Sequence, residues 1–267
     1  MKLHNFAAAL LAVSTCLAGF LHAQVSAPEL GVVRYGGNSV RPIYGVEANL
    51  VVGKQMLASA DAASFSDFGG LVAVRGHVQL VSRGGLVIGD YYAHEPKPLL
   101  DVEGALTTAI AYLPSRDALL HWNGKTFVLT RLETGSFSGT VTSVQMRGAH
   151  AARLLATTAR GNVSEITISL DNGELTSVKF LPGIRGPAFL QQDFVLFHDK
   201  QGLAVEAPNG NRRTLAFPSK EFTVERMSSD RLHLASPSTQ QSWVVHLNSR
   251  VFEMSEMPTP AQSGGGK

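Results

Sequence analysis

The 267-residue chain lacks a strong charge of either sign. It has 23 Lys and Arg residues against 21 Asp and Glu residues, which gives a formal net charge of +2 at pH 7. No run of like charges reaches the five or six residues that are typical of nucleic-acid-binding or acidic tails. No aromatic residues are interleaved with the basic residues Arg41, Arg212 and Arg213, so these arginines are poor evidence for a nucleic-acid partner. We therefore expect no nucleic acid among the partners.

Cysteine is almost absent, because Cys16 is the only one in the chain. It lies in an N-terminal segment in which Lys2 precedes an uncharged apolar stretch, Phe6–Phe20, and the small residue Ala23 follows. A basic start, an apolar stretch and a small residue at the exit are typical of a secretory signal peptide, and the stretch is short for a membrane span. We predict that residues 1–23 are a signal peptide and that cleavage follows Ala23.

Lipidation is the alternative outcome for this N-terminus. The residues before and including Cys16 read Val-Ser-Thr-Cys, which resembles a bacterial lipobox whose cysteine is lipidated and becomes the mature N-terminus. Thr15 stands where Gly, Ala or Ser is expected, so cleavage after Ala23 is favoured. The mature chain would then have no thiol, and a second apolar run of 18 residues is missing. We expect a periplasmic or extracellular protein without a transmembrane segment, or, in the alternative, a protein anchored by lipid at Cys16.

Helical patterns are also scarce. Beyond residue 23, short apolar runs alternate with polar residues and are separated by clusters of Gly, Asn, Asp, Ser or Pro, which predicts strands. The Ala-rich stretch Ala149–Ala159 is the best candidate for a helix, but it lies between glycines and contains two threonines, so we predict a strand. Asn123 and Gly124 separate the predicted strands Ala118–Trp122 and Lys125–Leu132 and predict a two-residue hairpin turn.

The predicted strands form repeated units. The first strands of five units fall near residues 63, 106, 142, 187 and 222, at separations of about 35 to 45 residues, which is typical of four-stranded β modules. Such sheets must stack, and radial stacking closes the array. We predict an all-β fold, a β-propeller of about six four-stranded blades that spans residues 24–256, with five or seven blades still open and a flexible tail at 257–267. N-terminal strands that complete a sheet begun at the C-terminus would close this ring; they are Gly31–Tyr35, Val40–Tyr44 and Asn49–Val52.

A large β-sandwich or two small β domains are the alternatives to a propeller. No Pro- or Ser-rich linker divides the chain after the predicted signal peptide, which weighs against two domains.

The units resemble those of WD-repeat and related bacterial propeller families in the broad sense. The specific WD signature is missing, because Trp122 is followed by Asn and Trp243 by Val. Three short segments, Val40–Gly45, Leu50–Gly53 and Ser66–Leu71, resemble the opening of a group of uncharacterised exported bacterial propeller-like proteins. This resemblance covers about 30 residues and implies the fold and export, but no activity.

The segment from Asp90 to Glu103 is the least strand-like part of the chain. We predict that it is a loop on one rim of the propeller and forms an exposed aromatic and carboxylate patch for binding, since loops on rigid scaffolds often carry ligands. A plain solvated connection between blades is the alternative. The residues assigned to this patch are Tyr91, Tyr92, His94, Glu95 and Asp101.

Catalytic and metal-binding motifs are missing from the sequence. The segment Gly135–Gly139 has Phe137 where a nucleophile elbow requires serine. The seven histidines after residue 23 lack the spacing of a helical metal site. We therefore assign no catalytic residue, metal or cofactor.

The function hypothesis is an exported, non-catalytic, monomeric β-propeller that binds a protein or a cell-envelope component. The alternative is a secreted carbohydrate-active hydrolase or lyase that uses carboxylates and histidines gathered at the central channel. Acidic or histidine side chains from at least three blades around one axial pocket would favour the enzyme.

Overall fold

The computed structural model describes residues 27–36, 38–46, 49–133, 137–219 and 221–259. The predicted signal peptide with Cys16 and the tail from residue 260 lie outside the described residues, and the hypotheses about them stay predictions. The described part contains 23 strands and two short 3₁₀ turns, Leu106–Thr108 and Pro114–Arg116. Within those ranges, no helix has the length and apolar character that crossing a membrane requires.

The strands form six antiparallel sheets, of which the first has three strands and the other five have four. The first sheet consists of β1 (Glu29–Tyr35), β2 (Ser39–Val46) and β3 (Asn49–Val52). The second sheet consists of β4 (Ala62–Ser66), β5 (Gly69–Val74), β6 (His77–Ser82) and β7 (Val87–Tyr92). The third consists of β8 (Leu99–Val102), β9 (Ala109–Leu113), β10 (Ala118–Trp122) and β11 (Phe127–Arg131). The fourth consists of β12 (Thr140–Arg147), β13 (Ala151–Thr157), β14 (Asn162–Ser169) and β15 (Leu175–Arg185). The fifth sheet consists of β16 (Ala188–Gln191), β17 (Phe194–His198), β18 (Leu203–Glu206) and β19 (Arg212–Leu215). The sixth consists of β20 (Thr223–Arg226), β21 (Arg231–Ala235), β22 (Ser242–Leu247) and β23 (Phe252–Glu256).

Alternating side chains explain why these segments are strands. In β14, Ile166 and Ile168 are buried, whereas Glu165 and Thr167 are partly exposed, because successive side chains point to opposite faces of a sheet. The Ala-rich stretch is strand β13, which confirms the prediction of a strand there.

The turn between β10 and β11 differs from the predicted two-residue hairpin. Trp122 pairs with Phe127, so the loop has the four residues 123–126. The Asn123 carboxamide oxygen accepts the backbone N–H groups of Lys125 at 3.0 Å and Thr126 at 2.9 Å. The Asn123 N–H also donates to the Thr126 carbonyl at 3.1 Å, so the chain reverses at Gly124 and Lys125, one residue later than the predicted Asn123 and Gly124. The Asn123 side chain supports this alternative turn by its bonds to the backbone.

Six apolar clusters hold the sheets in a closed ring. Each cluster joins two neighbouring sheets, and together they fill the spaces between the first and second, second and third, and so on around to the sixth and first. The protein is therefore a six-bladed β-propeller, as predicted.

The ring does not close in the predicted way. The last sheet is complete with β20–β23, and the N-terminal strands form a sheet of their own rather than completing it. Closure comes from packing: the Val32 N–H donates to the Met227 carbonyl at 3.0 Å, and Val33 and Ile43 share an apolar cluster with Met227 and Val244.

Among the described residues, the first sheet has no counterpart of the innermost strand that the other five sheets have. At the start of β1, Glu29 pairs with Arg83, whose guanidinium also donates to the Asp67 carbonyl just after β4. At its end, Arg34 donates to the Ala60 carbonyl just before β4. Strand β1 therefore runs antiparallel to β4 and has the direction of a second strand. Strands β4 and β20 consequently contact each other directly across the gap.

The predicted end of the propeller at residue 256 lies one residue before Met257, which is buried. Its side chain is 3% exposed and belongs to the cluster between the sixth and first sheets. Its N–H donates to the Ser242 carbonyl at 2.8 Å.

Candidate functional site

The predicted loop from Asp90 to Glu103 is wrong at both ends. Tyr91 and Tyr92 belong to β7, the outer strand of the second blade, and Asp101 belongs to β8, the innermost strand of the third blade. Gly89 of β7 lies against the third blade: a side chain there would collide with the Trp122 ring, 2.5 Å from the position of its Cβ. Close packing of β7 on the third blade thus requires this glycine.

The outer part of the predicted patch is an exposed aromatic cluster. The Tyr92 hydroxyl lies 2.8 Å from His94 Nδ1, and the Tyr92 ring centre is 4.9 Å from that of His77. Tyr92 is 57% exposed. Tyr91 is instead half-buried and packs against Phe127. A binding role for these residues stays a prediction.

Glu95 is buried rather than exposed. One carboxylate oxygen accepts both the backbone N–H of Ser115, at 2.8 Å, and its hydroxyl, at 2.6 Å. The side chain therefore fixes the connection that leads into β8.

Asp101 lies in a different place, an axial pocket of about 490 Å³ at the centre of the ring. The pocket is lined by the innermost strands of the five four-stranded blades and by Arg34 of β1, so every blade contributes. Its mouth lies where β4, β8 and β20 begin and includes the exposed side chains of Asp61, Lys97 and Thr223. Its walls combine polar residues, among them Asn38, Thr142 and Ser143, with the apolar residues Leu99, Leu100, Val144, Phe189, Leu190 and Val224.

A buried ion pair forms the inner end of the pocket. Arg226 Nε, near the end of β20, donates to Asp101 Oδ1 at 2.8 Å, and the two side chains are 2% and 7% exposed. Burial raises the pKa of the Asp101 carboxyl to about 6, although the Arg226 charge and hydrogen bond oppose the rise. Within the described residues, Arg226 Nη1, Arg226 Nη2 and Asp101 Oδ2 have no hydrogen-bond partner.

A second ion pair lies nearer the mouth. Arg34 Nε donates to Glu225 Oε1 at 2.6 Å. Burial raises the pKa of Glu225, while Arg34 and the Ala63 backbone oppose that rise. His233, opposite Glu225 in the β20–β21 register, has its pKa lowered to about 4 by burial and by the Arg34 charge, so it is neutral at pH 7.

Arg34, Glu225 and Arg226 are site residues that the sequence patterns do not indicate. The only signal for them is charge within short predicted strands, and that signal does not distinguish a channel-facing side chain from a solvent-facing one. Their meeting depends on ring closure, since Arg34 and Glu225 are 191 positions apart.

Three carboxylates from three parts of the ring line the pocket: Asp61, Asp101 and Glu225. Asp101 and Glu225 are held by arginines, and Asp61 Oδ2 accepts the Arg75 N–H at 3.1 Å. The part of the chain that the structure describes contains no group of three or more His, Cys, Asp or Glu residues able to hold a metal ion.

Comparisons with known proteins give the fold and no family. No known family and no curated protein matches the sequence. A nidogen/laminin complex contains a chain with a TM-score of 0.55 and 13% identity, and the match covers 86% of this chain and 93% of that one. Streptogramin B lyase matches with a TM-score of 0.48 and 12% identity, over 89% of this chain and 85% of that one. The WD40 domain of Toxoplasma gondii coronin matches with a TM-score of 0.44 and 10% identity, over 85% and 69%.

Proposed function

We propose that the chain is an exported, non-catalytic β-propeller that binds a protein of the cell envelope or its surroundings at the mouth of the axial pocket. The observation that carries this proposal is the pocket itself. It is a concave site at the ring centre in which polar and charged side chains converge beside apolar ones, and all six blades position it.

The state of the acidic groups supports binding over catalysis. A general acid or base must reach the proton it transfers, yet Asp101 and Glu225 are both held by arginines. Export rests on the N-terminal pattern of Lys2, the apolar stretch Phe6–Phe20 and Ala23.

Site-specific photo-crosslinking tests the proposal. p-Benzoylphenylalanine is placed at Lys97, on the pocket mouth, and separately at Thr107, an exposed residue just beyond the opposite end of β8. We expect irradiation in an envelope extract to give one defined protein adduct from position 97 and none from position 107. Equal labelling at both positions, or labelling only at 107, would contradict a binding site at the mouth.

A carbohydrate-active hydrolase or lyase is the second candidate function. It is favoured by one observation, the three carboxylates that different parts of the ring bring to the pocket. The raised pKa of Asp101, about 6, is suitable for a proton donor. Turnover of a polysaccharide that Asp101→Asn abolishes and Asp171→Asn, at an exposed site, preserves would establish this function in place of the first.

A further inference from the structure

We propose that the inner end of the axial pocket recognises a neutral carboxamide, the Asn or Gln side chain of the bound protein. The carboxamide oxygen accepts N–H groups of Arg226, and its NH₂ group donates to Asp101 Oδ2. This inference rests on the proposed function and specifies the chemical group of the bound protein that the pocket recognises.

Unused hydrogen-bonding capacity points to a ligand at this place. Arg226 is 4% exposed, and its Nη1 and Nη2 groups have no partner among the described residues. Asp101 Oδ2, on the residue paired with Arg226, is likewise without a partner. Buried polar groups are nearly always satisfied, and leaving one without a bond is unfavourable. An incoming group that supplies both an acceptor and a donor would satisfy both sides of the pair.

The charge balance of the pocket selects a neutral group. Three cationic side chains, Arg34, Lys97 and Arg226, line it together with three anionic ones, Asp61, Asp101 and Glu225. A ligand carboxylate would lie beside Asp101, and a ligand ammonium would lie beside Arg226, so each meets a like charge. A carboxamide avoids both repulsions and complements both partners.

The pocket walls fit the rest of such a side chain. Leu100 and Leu190 lie in the innermost strands on either side of Val144, and all three line the pocket, so the methylene groups of a glutamine would contact apolar surface. The Nη groups of Arg226 are shielded from solvent. The carboxamide therefore reaches them after a lining side chain changes its rotamer, as interface side chains commonly do on binding.

Binding of capped amino acids tests this inference directly. The probes are N-acetylglutamine methylamide and the corresponding glutamate and lysine compounds, which share the same backbone amides. Titration is followed by NMR of the ¹⁵N-labelled arginine side chains, with the Arg226 Nε–H resonance assigned by substitution. We expect the glutamine probe to shift this resonance and to bind at least about tenfold more tightly than either charged probe. Equal or tighter binding of a charged probe, or no shift with any probe, would overturn the inference.

Two double variants locate the binding. Arg226→Met with Asp101→Leu replaces the buried pair by apolar residues and should retain the fold, which circular dichroism checks. It should lose glutamine-probe binding. Arg153→Met with Glu165→Leu removes another poorly exposed ion pair, at 3.0 Å and outside the axial pocket, and should leave probe binding unchanged. Probe binding that survives in the first double variant would place the site elsewhere.

A charge-changing variant provides a second, independent test. Asp101→Asn leaves the pocket with one more cation than anions, so the glutamate probe should gain affinity relative to the glutamine probe. An unchanged ratio of the two affinities would contradict the role of charge balance at Asp101.

The crosslinking experiment separates failure of this inference from failure of the proposed function. If position 97 captures a protein and the glutamine probe does not bind, the propeller binds a partner but does not read a carboxamide. If both succeed, excess glutamine probe should reduce the adduct at position 97. An adduct that the bound probe does not reduce would contradict a carboxamide supplied by that partner.

Discussion

Arg226 illustrates what one residue contributes at the centre of the ring. Replacing it by methionine leaves Asp101 buried without its cation, and removing one partner of a buried pair typically costs about 3–5 kcal/mol. We expect Arg226→Met to lower the free energy of unfolding, measured in urea, by roughly this amount. The matched control is His150→Ala in the exposed His150–Asp171 pair, which should change stability by less than about 0.5 kcal/mol. Equal effects of the two substitutions would contradict the burial of Asp101.

His233 gives a pH dependence at the same scale. Its pKa is lowered from 6.5 to about 4 by burial and then by Arg34, so the folded state disfavours its charged form. The contribution of the neutral His233 ring to the free energy of unfolding is therefore fully present above pH 6.5 and is lost as the pH falls through 4. We expect the unfolding free energy of the parent to fall more steeply between pH 6.5 and 4 than that of His233→Leu. Asp101, with its pKa raised to about 6, acts in the opposite direction in both proteins, so the comparison isolates His233. Parallel pH profiles would show that His233 is not buried as a neutral ring.

At the scale of the element, β7 depends on Gly89 for its packing against the third blade. Gly89→Ala would bring a Cβ to within 2.5 Å of the Trp122 ring and force the second and third blades apart. Overpacking of this kind typically costs about 1–3 kcal/mol, which thermal or urea unfolding would measure. Gly84→Ala is the control, because the nearest atom to its Cβ is 3.9 Å away. A neutral Gly89→Ala would mean that β7 does not pack closely on Trp122.

Ring closure is a property of the whole molecule, and the apolar cluster between the sixth and first blades contributes to it beside the Val32–Met227 hydrogen bond and the Arg34–Glu225 ion pair. Met257 lies in the cluster that joins the sixth blade to the first, and Met→Ala in a core typically costs about 2–5 kcal/mol. We expect Met257→Ala to destabilise the protein by an amount in this range and to speed amide hydrogen exchange first in β1 and β20. Truncation after Thr259 should leave both measurements unchanged, as the predicted flexible tail requires. Exchange that rises evenly in all blades would contradict a local weak point at closure.

The sequence predicted the strands well where turns and alternation agree. Strand β10 has the predicted bounds, Ala118–Trp122, because polar turn residues flank a clearly apolar run. Prediction failed at the end of β7 and at β8, where charged residues interrupt the pattern and the segment from Asp90 to Glu103 resembles a loop. Asp101 of β8 is paired with Arg226 in another blade, and the local sequence does not reveal such a partner.

Of the charged residues at the inner end of the candidate site, the sequence pointed only to Asp101. The predicted environment of Asp101 differs from the one in which it lies. The sequence pattern predicts Asp101 in an exposed loop, yet Asp101 is a buried residue of an innermost strand. Its partner Arg226 lies 125 positions away and carries no motif.

Amino-acid order by itself determined the all-β class, the repeated four-stranded unit and the approximate number of blades, because alternation and turn residues act over a few positions. Only the tertiary structure decided how the ring closes, that the first blade has three strands within the described part of the chain, and which charges meet at the axis. These features depend on contacts between blades that are distant along the chain, where ring geometry rather than local pattern sets the neighbours of each side chain.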